Sequence, residues 1–196
     1  MGSVIMPTLL IFFLLFFAIA LVLPTVRVWR QTGVNPVVLP QSDDVAGFVG
    51  KWFKLLILTL GLYLALGSLG LSVPFGTISL PSYASIIGMC LLIISICWVV
   101  IAQFQMGKSW RVGIDTYAKT DLVIHGLFRI SRNPIFLGMI VQLLGLFLVQ
   151  PDAITLAILL AAYILISVQI RGEEGHLREL HPDAYPDYCG KVRRWL

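Results

Sequence analysis

Charge is what this sequence has little of. Only 12% of its 196 residues are Asp, Glu, Lys or Arg, about half the share usual in soluble domains. Apolar residues make up 58%, and the mean hydropathy is +0.91. A water-soluble globule is excluded, and a lipid bilayer becomes the expected surrounding. A second shortage is more selective: no Asp, Glu, Lys, Arg or His falls deep within a long apolar run. Ionisable groups inside spans usually mark ion paths and proton relays, which argues against a pump or an ion-coupled transporter. The three cysteines, Cys90, Cys97 and Cys189, follow no disulfide or metal spacing. Cys90 and Cys97 read as small hydrophobes of an apolar helix. No HExxH pattern occurs, no strand–glycine-loop–helix signature is present, and no basic stripe with interleaved aromatics stands clear of the membrane flanks. A metal centre, a soluble dinucleotide domain and a nucleic-acid partner are not expected.

What is present is a set of apolar runs. A helix needs about 20 apolar residues to cross the hydrocarbon core. Runs from about Val4 to Leu23, Trp52 to Val73, Tyr83 to Gln105, Pro134 to Val149 and Ile154 to Ile170 predict an all-α, polytopic membrane protein with five transmembrane helices. The last two form a helical hairpin across "QPD", where Pro151 suits a helix start and Asp152 a first turn. The first run has no basic stretch before it, so it reads as a retained helix rather than a cleaved signal.

All 14 Lys and Arg residues lie in, or within a few residues of, the segments 25–51, 106–133 and 171–196. Five crossings put these three segments on one side. The opposite side receives "PFGTISLPS", "QPD" and the start of the chain, none with a basic residue. The positive-inside rule places the N-terminus outside and the C-terminus in the cytoplasm. Trp29, Trp52, Trp110 and Trp195 fall near the basic boundary, as interfacial rings should. The expected organisation is an N-terminal region of three helices, 1–105, and a catalytic region, 106–196, of loop, hairpin and C-terminal segment.

The chemistry gathers at the basic side. Segment 106–133 is long for a connector and carries spaced hydrophobics (Leu122, Val123, Leu127, Phe128), so it is expected to fold against the helix ends. It leads into "FRISRNPIFLGMIV", residues 128–141, where polar residues stop abruptly at Pro134. Proline at a first helical position needs no acceptor for its nitrogen, so it fixes a helix start with Arg132 and Asn133 at a defined edge. That helix N-terminus also favours a nearby anion. Beyond the fifth run, Glu173 and Glu174 lie about one turn outside the hydrocarbon, with Arg178 spaced to pair with Glu174 on a continuing helix. Carboxylates there can accept charge-assisted hydrogen bonds from an ammonium or an adenine amine.

Four stretches occur in order: "SWRVGID", "DLVIHGLFRISRNPIFLG", the Glu-Glu-x-x-Leu of 173–177 and "HPDAYPDYCGKVRRWL". Together they resemble the isoprenylcysteine carboxyl methyltransferase and phospholipid methyltransferase superfamily, over about residues 106–196. The resemblance implies an integral-membrane enzyme that takes a methyl group from S-adenosyl-L-methionine. Its cofactor pocket would be closed by the inter-helix loop and the C-terminal segment. By position, the cofactor-binding residues would be Thr120, Asp121, Leu122, Val123, Phe128, Asn133, Pro134, Ile135, Phe136 and Glu173, with Arg132, Glu174 and Arg171 as catalytic candidates. Asn133 stands where the family has His, and Phe128 and Phe136 stand where it has Tyr. Asn133 keeps hydrogen-bonding capacity but cannot serve as a cation or strong base.

The implied acceptor is lipophilic. A prenylcysteine carboxylate needs no general base, so positioning and desolvation would carry most of the rate, with Arg171 orienting the anion. A phospholipid amine and a small thiol are alternatives. A membrane reductase using NADPH and a non-catalytic scaffold are competing readings, though no extra basic cluster stands out for a 2′-phosphate.

Overall fold

A computed structural model describes residues 2–37, 45–71, 75–113 and 121–196. The described residues are mainly helical, with no strand among them and two isolated bridges, Val37 with Val112 and Thr77 with Asp152. Helix α1 (Gly2–Phe17) passes through a π-helical turn at Ala18–Val22 into α2 (Leu23–Thr32). Then follow α3 (Val45–Ser68), α4 (Tyr83–Met106), α5 (Pro134–Val149), α6 (Ala153–Leu180) and α7 (Ala184–Lys191). Short 3-10 turns at Gly107–Ser109 and Gly126–Arg129 bracket the connection from α4 to α5.

Four helical segments are long and apolar enough to cross a membrane: Val4–Thr32, Val45–Ser68, Tyr83–Ser109 and Ala153–Leu180. The fifth expected span, Pro134–Val149, has 16 residues, about 24 Å at 1.5 Å per residue against a hydrocarbon core of about 30 Å. Two expected ends also move. The first run continues to Thr32, past Arg27 and Arg30, and α6 continues ten residues beyond Ile170. Apolar runs mark where lipid begins and ends, whereas backbone hydrogen bonding carries a helix on into the polar layer.

Large apolar side chains point outward along the helices: Leu58 is 70% exposed, Ile86 67% and Ile164 61%. In water that surface would drive association; in a bilayer it meets its own solvent. Inward, Met6, Leu9, Leu60, Tyr63, Leu64, Leu92, Leu146, Val149 and Ile158 form one core drawn from α1 and α3–α6. Helices α4 and α5 approach most closely. A Cβ on Gly88 would meet the Gly145 carbonyl at 2.6 Å, and one on Gly145 would meet the Gly88 carbonyl at 2.9 Å. Small residues let the two backbones touch, as helix association in lipid favours. A buried hydrogen bond from Ser95 Oγ to Gln142 Oε1 ties the same pair.

At the end opposite the tail, Asp152 organises a closed knot. Its carboxylate caps α6 by accepting from the Thr155 N–H at 2.9 Å, and it also accepts from Gln150 Nε2 and from the Tyr63 hydroxyl of α3. The loop before α4 clips on through Ile78 N–H to the Pro151 carbonyl at 2.9 Å. Asp152 was expected in a first turn; it is the N-cap, with a reciprocal bond to Thr155.

Candidate functional site

The start of α5 is set by bonds from two directions. Trp98 Nε1 of α4 donates to the Pro134 carbonyl at 2.9 Å. On the other side lies the C-terminal segment. The Arg132 N–H donates to the Arg193 carbonyl at 3.0 Å, while Asn133 Nδ2 and the buried Ser131 Oγ donate to the Arg194 carbonyl at 3.2 and 3.3 Å. The Asn133 N–H turns back to Ser131 Oγ at 3.1 Å. Three consecutive residues before α5 are thus stitched to the chain's last residues.

Charge reinforces the stitching. Glu174 on α6 is 3% exposed. Arg194 grips it with both arms of its guanidinium, Nε to Oε1 at 3.0 Å and Nη2 to Oε2 at 2.7 Å. Arg132 Nη2 lies 3.2 Å from Oε1. Such a two-pronged geometry is the strong form of the arginine–carboxylate pair. Arg132 Nη1 donates to Cys189 Sγ of α7.

Helix α7 supplies two buried tyrosines, and the Tyr188 hydroxyl donates to the Phe128 carbonyl. Burial pushes the Tyr185 phenol well above its usual value, with the Glu174 charge adding to it. Burial takes the Tyr188 phenol up to about 12. Both stay neutral near pH 7. The hydrogen bond to Glu174 holds the Arg194 guanidinium above its ordinary value.

The connection entering this edge is anchored to α4. At Gly126 φ is +60°, and a Cβ there would run into the Gln105 side chain, whose Oε1 accepts the Leu127 N–H at 2.8 Å. Glycine is needed for both reasons. Phe128 is buried on the following turn, Leu122 and Val123 are half-buried, and Asp121 is exposed. Thr120 lies outside the described residues.

Two features suit the edge to an anionic group. Arg132 Nε is buried and has no hydrogen-bond partner. Beside it, Asn133 does not cap α5 with its side chain, so the first-turn N–H groups of Ile135 and Phe136 have no acceptor within the helix. Buried donors of this kind are normally satisfied, and an orphan next to a helix N-terminus asks for an acceptor.

The structure therefore brings Arg132, Asn133, Pro134 and Glu174 together. Glu173 and Arg171 find partners on their own helix instead: Glu173 Oε1 accepts from Gln169 Nε2 at 2.9 Å, and the exposed Arg171 donates to the Ser167 carbonyl. The pairing expected for Glu174 is corrected. Its partners are Arg132 and Arg194, while Arg178 stays exposed. A surface pair one turn away was outcompeted by two arginines that share the buried side of α6. Arg194, Tyr185 and Tyr188 received no role from the sequence. The signal for Arg194 was the buried carboxylate itself, which requires a counter-charge from elsewhere. Among the described residues no three His, Cys, Asp or Glu side chains converge as metal ligands would.

A model of the phospholipid methyltransferase family matches residues 83–184, just over half of the chain. The chain belongs to the phospholipid methyltransferase family. No curated protein matches it. Membership implies a methyltransferase, and four apolar helices fit an integral membrane protein. The family match opens at the first residue of α4, and so includes the helix whose Trp98 and Gln105 support the site. It closes at the first residue of α7. In this phospholipid methyltransferase family member, Arg132, Asn133 and Glu174 lie within the match, whereas Tyr185, Tyr188 and Arg194 follow it.

Proposed function

We propose that the protein is an S-adenosyl-L-methionine-dependent methyltransferase acting at the cytoplasmic face of a membrane on a lipophilic acceptor that enters from the bilayer. The observation that carries this reading is the orphaned Arg132 Nε beside the uncapped start of α5, within the stretch matched by the family. These donors fit the carboxylate of the methyl donor. Leu122, Val123 and Phe128 supply apolar surface for its adenosine, with Ile135 and Phe136 at the same helix start. Glu173 is the acceptor available to its amino groups. When bound, the cofactor supplies an electrophilic methyl group on a sulfonium.

The chain's own part is to bind, orient and keep water out. Asn133 holds no charge and takes no proton. Glu174 is engaged by two arginines and serves the frame. With no base required, the favoured acceptor is a carboxylate such as that of a prenylated cysteine, and Arg171 is the cation available to orient it. The second reading is a phospholipid amine, which the family match favours equally. The lysines and arginines all flank one side of the apolar runs, which supports the cytoplasmic placement.

The test uses purified protein in lipid nanodiscs with S-adenosylmethionine labelled in its methyl group, offered a prenylcysteine, an aminophospholipid or a thiol. A base-labile labelled product identifies a methyl ester, and a base-stable one an N-methyl amine or a methyl thioether, told apart by which acceptor was supplied. Thermal stabilisation by NADPH with none by S-adenosylhomocysteine would overturn the proposal, and stabilisation by neither would favour a scaffold. Arg171→Ala is expected to lower turnover on a carboxylate acceptor about tenfold, on the order of one charge-assisted contact. Unchanged kinetics would remove Arg171 from the mechanism.

A further inference from the structure

The chain's last residues hold more of the candidate site than any other single element outside α5. Arg193 and Arg194 offer their carbonyls to Arg132, Asn133 and Ser131, and the Arg194 guanidinium closes on Glu174 from the opposite side. Behind them Trp195 stacks on Tyr163 of α6, with ring centroids 6.4 Å apart and an interplanar angle of 26°. The segment lies as a strap between the start of α5 and the far end of α6.

Arg194 reaches no atom of Arg132 that an anion would use. The orphaned Nε of Arg132 and the uncapped first turn of α5 stay free while the strap holds the backbone N–H of the same arginine and Glu174 holds its Nη2. An arginine so placed sets the geometry of the edge without occupying it.

We infer that Arg194 and Glu174 are positioning residues for methyl-donor binding. They clamp the C-terminal strap onto residues 131–133 and so aim Arg132 and the α5 N-terminus at the donor's carboxylate. This rests on the reading that the donor binds at that edge. Loss of the clamp leaves every donor-contacting residue in the chain but lets the edge shift. Replacement of the two-pronged guanidinium by a single ammonium acts the same way in milder form, because lysine cannot make the parallel pair of bonds.

The experiment measures two things on the full chain in nanodiscs: S-adenosylhomocysteine affinity by titration calorimetry, and exchange of the Arg132 backbone amide by hydrogen–deuterium mass spectrometry without ligand. Arg194→Ala is expected to weaken affinity about tenfold or more, the scale of losing a charge-assisted pair. It should also speed Arg132 exchange while leaving protection around Leu64 and Leu92 in the core unchanged. Arg194→Lys should fall between, and Glu174→Gln should resemble Arg194→Ala. In turnover assays KM for the donor should rise more than kcat falls. Faster Arg132 exchange with unaltered affinity would overturn the positioning role and leave only a structural strap. Wild-type protein that binds no S-adenosylhomocysteine would overturn the donor reading beneath it, and the exchange data would tell the two failures apart.

Discussion

Among the described residues, Asp152 and Glu174 are carboxylates buried at opposite ends of the bundle, and the two are satisfied in opposite ways. Asp152 is fully buried and takes its hydrogen bonds from neutral donors: a backbone N–H, the Gln150 amide and the Tyr63 hydroxyl. Two of these three donors come from residues 150–155, and the third ties in α3. Glu174 is 3% exposed and is satisfied by two arginines, one 42 residues before it at Arg132 and one 20 after it at Arg194. The first arrangement ends a helix and closes a loop. The second joins three separate pieces of chain and depends on all of them. A buried charge network of that kind is costly unless complete, which suits a site whose parts must be in register.

Breaking the network should therefore do the greater harm. Glu174→Ala leaves Arg132 and Arg194 facing each other without a counter-charge, and thermal or denaturant unfolding in nanodiscs should show a loss of about 3–5 kcal/mol. The donor affinity should fall with it. Helix contact comes next. Gly88→Ala drives a methyl into the Gly145 carbonyl, and overpacking of this sort costs about 1–3 kcal/mol. Its shift in melting temperature measures how rigidly α4 supports α5. At the opposite end, Asp152→Ala removes a helix cap worth about 1 kcal/mol and should lower the melting temperature while leaving S-adenosylhomocysteine affinity within twofold. Tyr63→Phe removes one hydrogen bond of the same knot, about 1 kcal/mol or less. A donor affinity that fell in Asp152→Ala as far as in Glu174→Ala would erase the distinction between the two ends.

Sequence patterns spoke clearly about class and less clearly about contacts. Low charge and long apolar runs foretold an all-α membrane protein, and Pro134 announced the start of α5 to the residue. Family motifs pointed to Arg132, Asn133 and Glu174, which do come together. Three things stayed hidden, each for a physical reason. The apolar run alone ended α6 at Ile170, and where its polar continuation, "RGEEGHLREL", stops was not legible because that stretch is helical without being apolar. The partner of Glu174 was misassigned because helical spacing ranks neighbours on one helix and is blind to a strap arriving from another segment. The knot around Asp152 depends on Tyr63, 89 residues away, a pairing with no local signature. Similarly, only the folded chain assigns Gly88 and Gly145 to each other.

The π-helical turn in the first helix has a consequence for inheritance. Between Ala18 and Val22 the helix holds one residue more than α-helical winding would, and the carbonyl of Ala20 is taken by Gln103 Nε2 at 2.6 Å. A single surplus residue turns everything after it by about 100° around the axis. Arg27 consequently arrives over the Phe104 ring, 4.3 Å from its centroid. Lineages that lose one codon in this stretch would keep a hydrophobic span of nearly the same length, yet rotate Arg27 away from its ring and the basic end of that helix away from α4.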